Sequence, residues 1–247
     1  MLDTSWQGEM GKRDLFFEAY DRDDVAYGLR PSADLASYLA QVKPQGEAID
    51  LGAGAGRDTL ALAKAGLQVR AVDLSGRGLD RVVERARQMR LLDRVTTITG
   101  DAREVELPAN TFSVLVATTV LCHLSEDDGL ELWKRMAAAI DDSGMIYAEV
   151  HTTEDPGCDE SPGRENCNPV SETASAVIHY FRPGELLRWA MHWPSLRVLR
   201  YEERLEWDYT HGQPHQHGKA ILVAVRQGFY PPWYGHPIAF AKRPDDS

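Results

Sequence analysis

Apolar positions along the chain follow two alternating rhythms. Short runs rich in Val and Ile, bounded by glycine or polar residues, predict strands at Glu47–Leu51, Gln68–Val72, Val95–Thr99, Phe112–Thr118 and Gly144–Val150. Between them, Leu79, Val82, Val83, Ala86 and Met89 recur at helical spacing, as do Leu130, Trp133, Ala137 and Ile140. Ser125, followed by Glu126, Asp127 and Asp128, reads as an N-cap with acids in the first turn. Helical stretches at Asp14–Tyr20 and Ala33–Val42 precede the first strand. Strands alternating with helices imply crossover connections and a parallel, doubly wound α/β sheet.

The rhythm breaks after Val150. His151–His179 is polar and carries Pro156, Pro162, Pro169, Gly157, Gly163, Cys158 and Cys167, which predicts a structureless lid. A helix is expected over Arg182–His192, with Pro183 at its first position. Two long strands follow, Ser195–Trp207 and Gly218–Arg226, joined by THGQPHQH as a hairpin connection. The expected organisation is one domain over 1–247. It divides into an N-terminal helical cap (1–43), a binding core (44–150), the lid (151–181), a terminal helix and hairpin (182–228), and an aromatic, Pro-rich tail (229–247) that packs on the domain or on a neighbouring subunit.

Chemistry concentrates in AIDLGAGAGRDTLALAKAGLQVRAVDLS. Gly52, Gly54 and Gly56 alternate from the end of the first strand into a helix, so the backbone can turn tightly and approach a ligand. The second strand ends in Asp73, where a carboxylate can accept both hydroxyls of a ribose. The spacing is G-x-G-x-G after an acid, Asp50, with Arg57 where the dinucleotide fingerprint carries its third glycine, which disfavours NAD. Gly100-Asp101-Ala102 closes the third strand and offers an acceptor to an adenine amino group. Ala117 to Leu124 follows the fourth. All four tips lie on the carboxyl edge of the sheet, where open α/β folds bind ligands.

This ordered set resembles class I S-adenosylmethionine-dependent methyltransferases, and within them the tellurite-resistance-type branch of small methyltransferases. The similar segments are AYGLRPSADL, IDLGAGAGRDTLALAKAG, ATTVLCHL, FRPGELLRW and GKAILVAVR, so the resemblance runs from about Tyr27 to Arg226. It implies a Rossmann-like seven-stranded sheet in the order 3-2-1-4-5-7-6 with an antiparallel last strand, and S-adenosylmethionine as donor. It places Tyr27, Arg30, Asp50, Gly52, Ala53, Gly54, Asp73, Leu74, Asp101, Ala102 and Thr118 around the cofactor. The chain departs from that branch in its last hairpin. Glu206 and Trp207 stand where tellurite-active members carry a His-Arg pair, and Pro214 near a further Arg, which argues against an oxyanion substrate.

Methyl transfer needs a base only when the acceptor must lose a proton. His123, just past the fourth strand, and His151, at the tip of the fifth beside Glu149, are the catalytic candidates. His211, His215 and His217 cluster in the hairpin connection, but the tight two-plus-two spacing of zinc sites is missing, so no metal is expected. A non-catalytic cofactor-binding regulatory protein and an NAD-dependent oxidoreductase remain open as alternatives.

Bulk properties narrow the partners. A net charge of −11 disfavours nucleic acid, because phosphate affinity needs clustered Lys and Arg. No apolar run approaches a membrane span, and the N-terminus lacks the apolar core of a secretory signal. Three cysteines make no disulfide framework, so a cytoplasmic protein is expected. The expected partner is a small-molecule methyl acceptor, with a monomer or homodimer as the assembly.

Overall fold

The computed structural model describes residues 28–158, 167–171, 174–209 and 213–233. Ser32 caps α1 (Ala33–Val42) by accepting from the Leu35 N–H. The expected helix at Asp14–Tyr20 and the candidate Tyr27 lie outside the described residues, as does His211.

The expected alternation follows: β1 (Glu47–Leu51), α2 (Arg57–Lys64), β2 (Gln68–Asp73), α3 (Gly76–Gln88), β3 (Val95–Thr99), β4 (Phe112–Thr118), α4 (Glu126–Ala139) and β5 (Ile140–His151). Residues alternate faces along each strand. Ile49, Leu51, Leu115 and Ala117 pack with Trp133 of α4 on one side. Ala48, Val114 and Val116 pack with Leu35, Tyr38 and Leu62 from α1 and α2 on the other. Burial on both faces explains why β4 reads as a continuous apolar run rather than an alternating one.

The main sheet runs β3-β2-β1-β4-β5-β9-β8, where β8 is Leu196–Asp208 and β9 is His215–Arg226. Strands β1 to β5 are parallel, and β9 lies antiparallel between β5 and β8. With the lid strands set aside, this is the order 3-2-1-4-5-7-6 with its antiparallel strand.

Four expectations need correction. The lid is not structureless, because β6 (Cys167–Ser171) and β7 (Ala176–His179) form a small antiparallel sheet there. Helix α5 (Glu185–Met191) begins behind Gly184 at φ 72°, so Pro183 precedes the helix instead of opening it. Strand β5 begins at Ile140, with a register shift against β4, earlier than the glycine at position 144 suggests. Most consequential, β9 starts at His215, so both described hairpin histidines belong to a strand and not to a turn. The tail as far as Trp233 packs on its own domain: Trp233 is 1% exposed and donates from Nε1 to Ser37 Oγ at 3.1 Å.

Candidate active site

The carboxyl ends of β1, β2, β3, β4 and β5 open into one cavity of about 820 Å³. Of the expected site residues, Arg30, Gly52, Ala53, Gly54, Asp73, Leu74, Asp101, Ala102, Thr118, His123 and His151 all line it.

The glycine loop shapes the first wall. Gly52 adopts φ 69°, and a side chain there would meet Val120 Cγ2 at 2.4 Å, so only glycine lets the loop lie against the β4 tip. Asp73 holds the loop from the neighbouring strand: Oδ2 accepts from the Gly54 N–H at 2.7 Å and Oδ1 from the Ser75 N–H at 2.7 Å. Burial raises its carboxyl above the ordinary value, against those two bonds. Ser75 in turn caps α3 through the Gly78 N–H.

Asp50 does not reach this wall, contrary to expectation. It is 1% exposed, sits behind the loop, and accepts from Thr59 Oγ1 at 2.6 Å. Burial and the nearby Asp58 carboxylate push it up to about 8, so its role is to anchor α2 beneath the loop. Asp58, which sequence reasoning passed over, lines the cavity in its stead. It pairs with Arg57 at 3.0 Å and accepts from Thr118 Oγ1 at 2.9 Å, tying the start of α2 to the β4 tip.

At the third tip, Asp101 is gripped by Arg103, whose Nε lies 3.0 Å from both carboxylate oxygens. Burial alone would raise Asp101; these bonds outweigh it and hold it below the ordinary value. Arg103 also donates to the carbonyl of Ala174, ahead of β7.

The opposite wall carries the histidines. His123 Nδ1 lies 3.1 Å from the carbonyl oxygen of Val177. A carbonyl only accepts, so the proton sits on Nδ1 and Nε2 is the lone-pair nitrogen. Burial brings the ring down to about 4, so it is neutral at physiological pH. His151 Nδ1 lies 3.2 Å from Asp155 Oδ2. Asp155 also accepts from His217 Nδ1 at 2.8 Å and from the N–H groups of Gly157 and Gly218, which hold it well below the usual carboxylate range against its burial. Glu149 is buried and, against that burial, kept ionised chiefly by Lys219 at 2.8 Å. Trp207 and Tyr209 stack at the same wall with ring centroids 6.1 Å apart. Burial pushes the Cys122 thiol up to about 12, which removes it as a nucleophile.

Asp155, Lys219 and Tyr209 were not picked out from the sequence, and Trp207 only as a departure from the tellurite-active pattern. Asp155 stood in the segment read as lid, Lys219 within GKAILVAVR, which was read for the fold alone, and Tyr209 just past β8. The only available signal for Asp155 was the cluster of histidines it faces.

Residues 48–144 match the family described as a methyltransferase domain. No curated protein matches the chain. Among solved structures, the chain is similar to TehB from Haemophilus influenzae, at 18% identity and a TM-score of 0.63, over 87% of this chain and 66% of that one. It thus spans just under two thirds of that protein's length. It is also similar to the 1,6-didemethyltoxoflavin-N1-methyltransferase of Burkholderia thailandensis, solved with 1,6-didemethyltoxoflavin and S-adenosylhomocysteine bound. There the identity is 19% and the TM-score 0.57, over 78% of this chain and 76% of that one. For the CcbJ methyltransferase of Streptomyces caelestis the figures are 17%, 0.60, 86% and 96%.

Sheet order, glycine loop and strand-tip acids are together those of the Rossmann-like α/β fold that the motifs imply. Over residues 48–144 the chain therefore matches a methyltransferase domain, the class that its motifs resemble.

Proposed function

We propose that this chain transfers the methyl group of S-adenosylmethionine to a small-molecule nucleophile (a thiol or other soft acceptor, an amine or a hydroxyl) by in-line displacement. The observation that carries the reading is the two-sided cavity. The glycine loop and the Asp73 and Asp101 tips form a cofactor wall, while His123, His151, Trp207 and Tyr209 form a second wall across the same space. Its volume falls within the roughly 300–1,000 Å³ of small-molecule sites.

On the cofactor wall, Asp73 would receive the ribose hydroxyls, and Asp101 with Ala102 would face the adenine. Gly52 to Gly54, Arg30 and Thr118 would surround the methionine end. A sulfonium would release a neutral thioether, a good leaving group, so alignment by the surrounding residues would supply much of the rate, on the order of 7 to 11 kcal/mol. Where the acceptor must shed a proton, His151 is the better base of the two candidates. Its Nδ1 faces the Asp155 carboxylate, which stabilises the imidazolium formed on proton uptake. His123 is a weak base, since burial keeps its conjugate acid near 4. It serves better as a neutral wall, locked through Val177 to the lid strand β7.

The test is a turnover screen. The protein is incubated with S-adenosylmethionine and a panel of thiols, amines and phenols, and S-adenosylhomocysteine and methylated products are followed by mass spectrometry. Turnover on at least one small acceptor, reduced in His151→Ala, supports the reading. Tight cofactor binding without turnover on any of them would favour a regulatory cofactor-binding protein.

A further inference from the structure

The β8–β9 hairpin continues past the end of β5, and its register sets three side chains on one face. Asp208 pairs directly with His215, and His217 follows two residues along. Ligand atoms of Asp208, His215 and His217 all lie within 4.8 Å of one another.

The proton positions on the two imidazoles can be read from their partners. His215 Nδ1 lies 2.8 Å from the carbonyl oxygen of Gln213, which can only accept, so Nδ1 carries the proton. His217 Nδ1 lies 2.8 Å from Asp155 Oδ2. That carboxylate already accepts from the backbone N–H groups of Gly157 and Gly218, so it acts as acceptor here as well. Each ring is thus held through Nδ1, which turns its Nε2 toward the other ring, and the two Nε2 atoms face each other at 2.9 Å. Both can therefore reach one cation placed beside them.

We propose that Asp208, His215 and His217 bind one divalent transition-metal cation of the zinc type, with Asp155 orienting His217. Two imidazoles and a carboxylate suit borderline cations of this kind. Bonds of about 2.0–2.1 Å in tetrahedral geometry separate two nitrogen ligands by about 3.3 Å, a few tenths more than the observed gap. Small rotations of the two rings supply the difference. The Asp155–His217 contact has the form of the carboxylate that fixes a metal-bound histidine through its other nitrogen. Asp208 and His217 also line the methyl-transfer cavity, so the ligand positions left open on the cation face the acceptor wall. An acceptor hydroxyl or thiol could bind there as its anion. Binding of the cation itself does not rest on the methyl-transfer reading.

A neighbouring set competes: His151, Asp155 and His217 also converge, with His217 engaged through Nδ1. It would require Asp155 to leave His217 without its orienting contact, and it would leave the facing Nε2 atoms unexplained. A proton shared between the two Nε2 atoms is the other alternative.

The experiment uses the full chain, stripped with a chelator and titrated with zinc by calorimetry and with cobalt by visible absorption. One equivalent is expected to bind, with the d–d bands of a site holding nitrogen ligands. His215→Ala and His217→Ala should each abolish saturable binding, and Asp155→Asn should weaken it by roughly 10- to 100-fold. Far-UV circular dichroism checks that each variant is folded. Side-chain ¹⁵N spectra of the wild type provide a reading that needs no variant, since zinc should shift both Nε2 resonances. Absence of saturable binding, with an Nε2–H signal in the stripped protein, means a shared proton and overturns the proposal. Binding lost in His151→Ala but kept in His215→Ala overturns it in favour of the other set.

Discussion

Replacing Asp73 by Asn tests the cofactor wall most directly. In the folded chain the two carboxylate oxygens each accept one backbone N–H, from Gly54 and Ser75, at 2.7 Å. A carboxylate has about four lone-pair positions, so two remain for the ribose hydroxyls. The Asn side chain keeps the shape but offers one accepting oxygen, and its amide N–H₂ then opposes one of the backbone donors. Losing a hydrogen bond to a charged acceptor costs about 1.5–3 kcal/mol. S-adenosylhomocysteine should therefore bind about 10- to 150-fold more weakly by calorimetry. The fold should lose less, about 1 kcal/mol, because the amide escapes the desolvation that raises the Asp73 carboxyl. That loss should appear as a lower thermal midpoint of the ligand-free protein, transmitted through Ser75 to the cap of α3. An Asp73→Asn protein that binds S-adenosylhomocysteine within twofold of wild type would refute both the ribose assignment and the role of Asp73 in holding the loop.

Three further outcomes are expected. S-adenosylhomocysteine at a hundredfold excess over its Kd should stabilise the fold by about 2.7 kcal/mol in a thermal-shift series, while NADH and NADPH should not; equal shifts would contradict the glycine-loop reading. Asp50 has a folded pKa near 8 against an ordinary 3.8, so the fold holds its proton more tightly than the unfolded chain does. Its stabilising contribution is complete below about 3.8 and is lost as pH rises to about 8; denaturant midpoints of Asp50→Asn should fall less steeply across that window than those of wild type, and parallel curves would count against the assignment. In Gly78→Ala the new Cβ would sit 2.7 Å from the Gly54 carbonyl oxygen, which is backbone and cannot rotate away. Overpacking of this kind costs about 1–3 kcal/mol, and both the thermal midpoint and S-adenosylhomocysteine affinity should drop.

The glycine-loop half of the cavity was legible in the sequence because its information is local. Strand, glycine loop, helix and acidic tip follow one another within Glu47–Asp73, and the bounds of β1, β3 and β4 fall where the Val- and Ile-rich runs place them. Asp50 shows the limit of that reading. A motif fixes which residues stand at a strand end, whereas the alternation of the strand decides that Asp50 points under the loop to Thr59 and Asp73 toward the cavity. The opposite wall was less legible, since it is assembled from segments far apart in the chain. Asp155 meets His217 across 62 positions, a contact no spacing rule reaches. The turn-like composition of THGQPHQH hid the start of β9, because cross-strand pairing with β8 overrides the local preference of those polar residues.

That start of β9 has a further consequence. Lys219 is the last residue of β9 paired with β5, and from Gly218 back to His215 its strand partner is β8, with Thr152 and Asp155 bonding to Gly218 and His217 from the turn after β5. This outer part is a two-stranded ribbon seated on the Asp155 turn, so closely that a Cβ on Gly218 would fall 2.3 Å from the Asp155 nitrogen. In such a ribbon successive side chains face opposite ways. Inserting one residue between His217 and Gly218 would leave the seven-stranded sheet untouched, yet turn both imidazoles outward and put Gln216 in their place. Two inserted residues would restore the facing. Changes of length in this arm should therefore be tolerated by parity, even numbers preserving the inward histidines and odd numbers losing them.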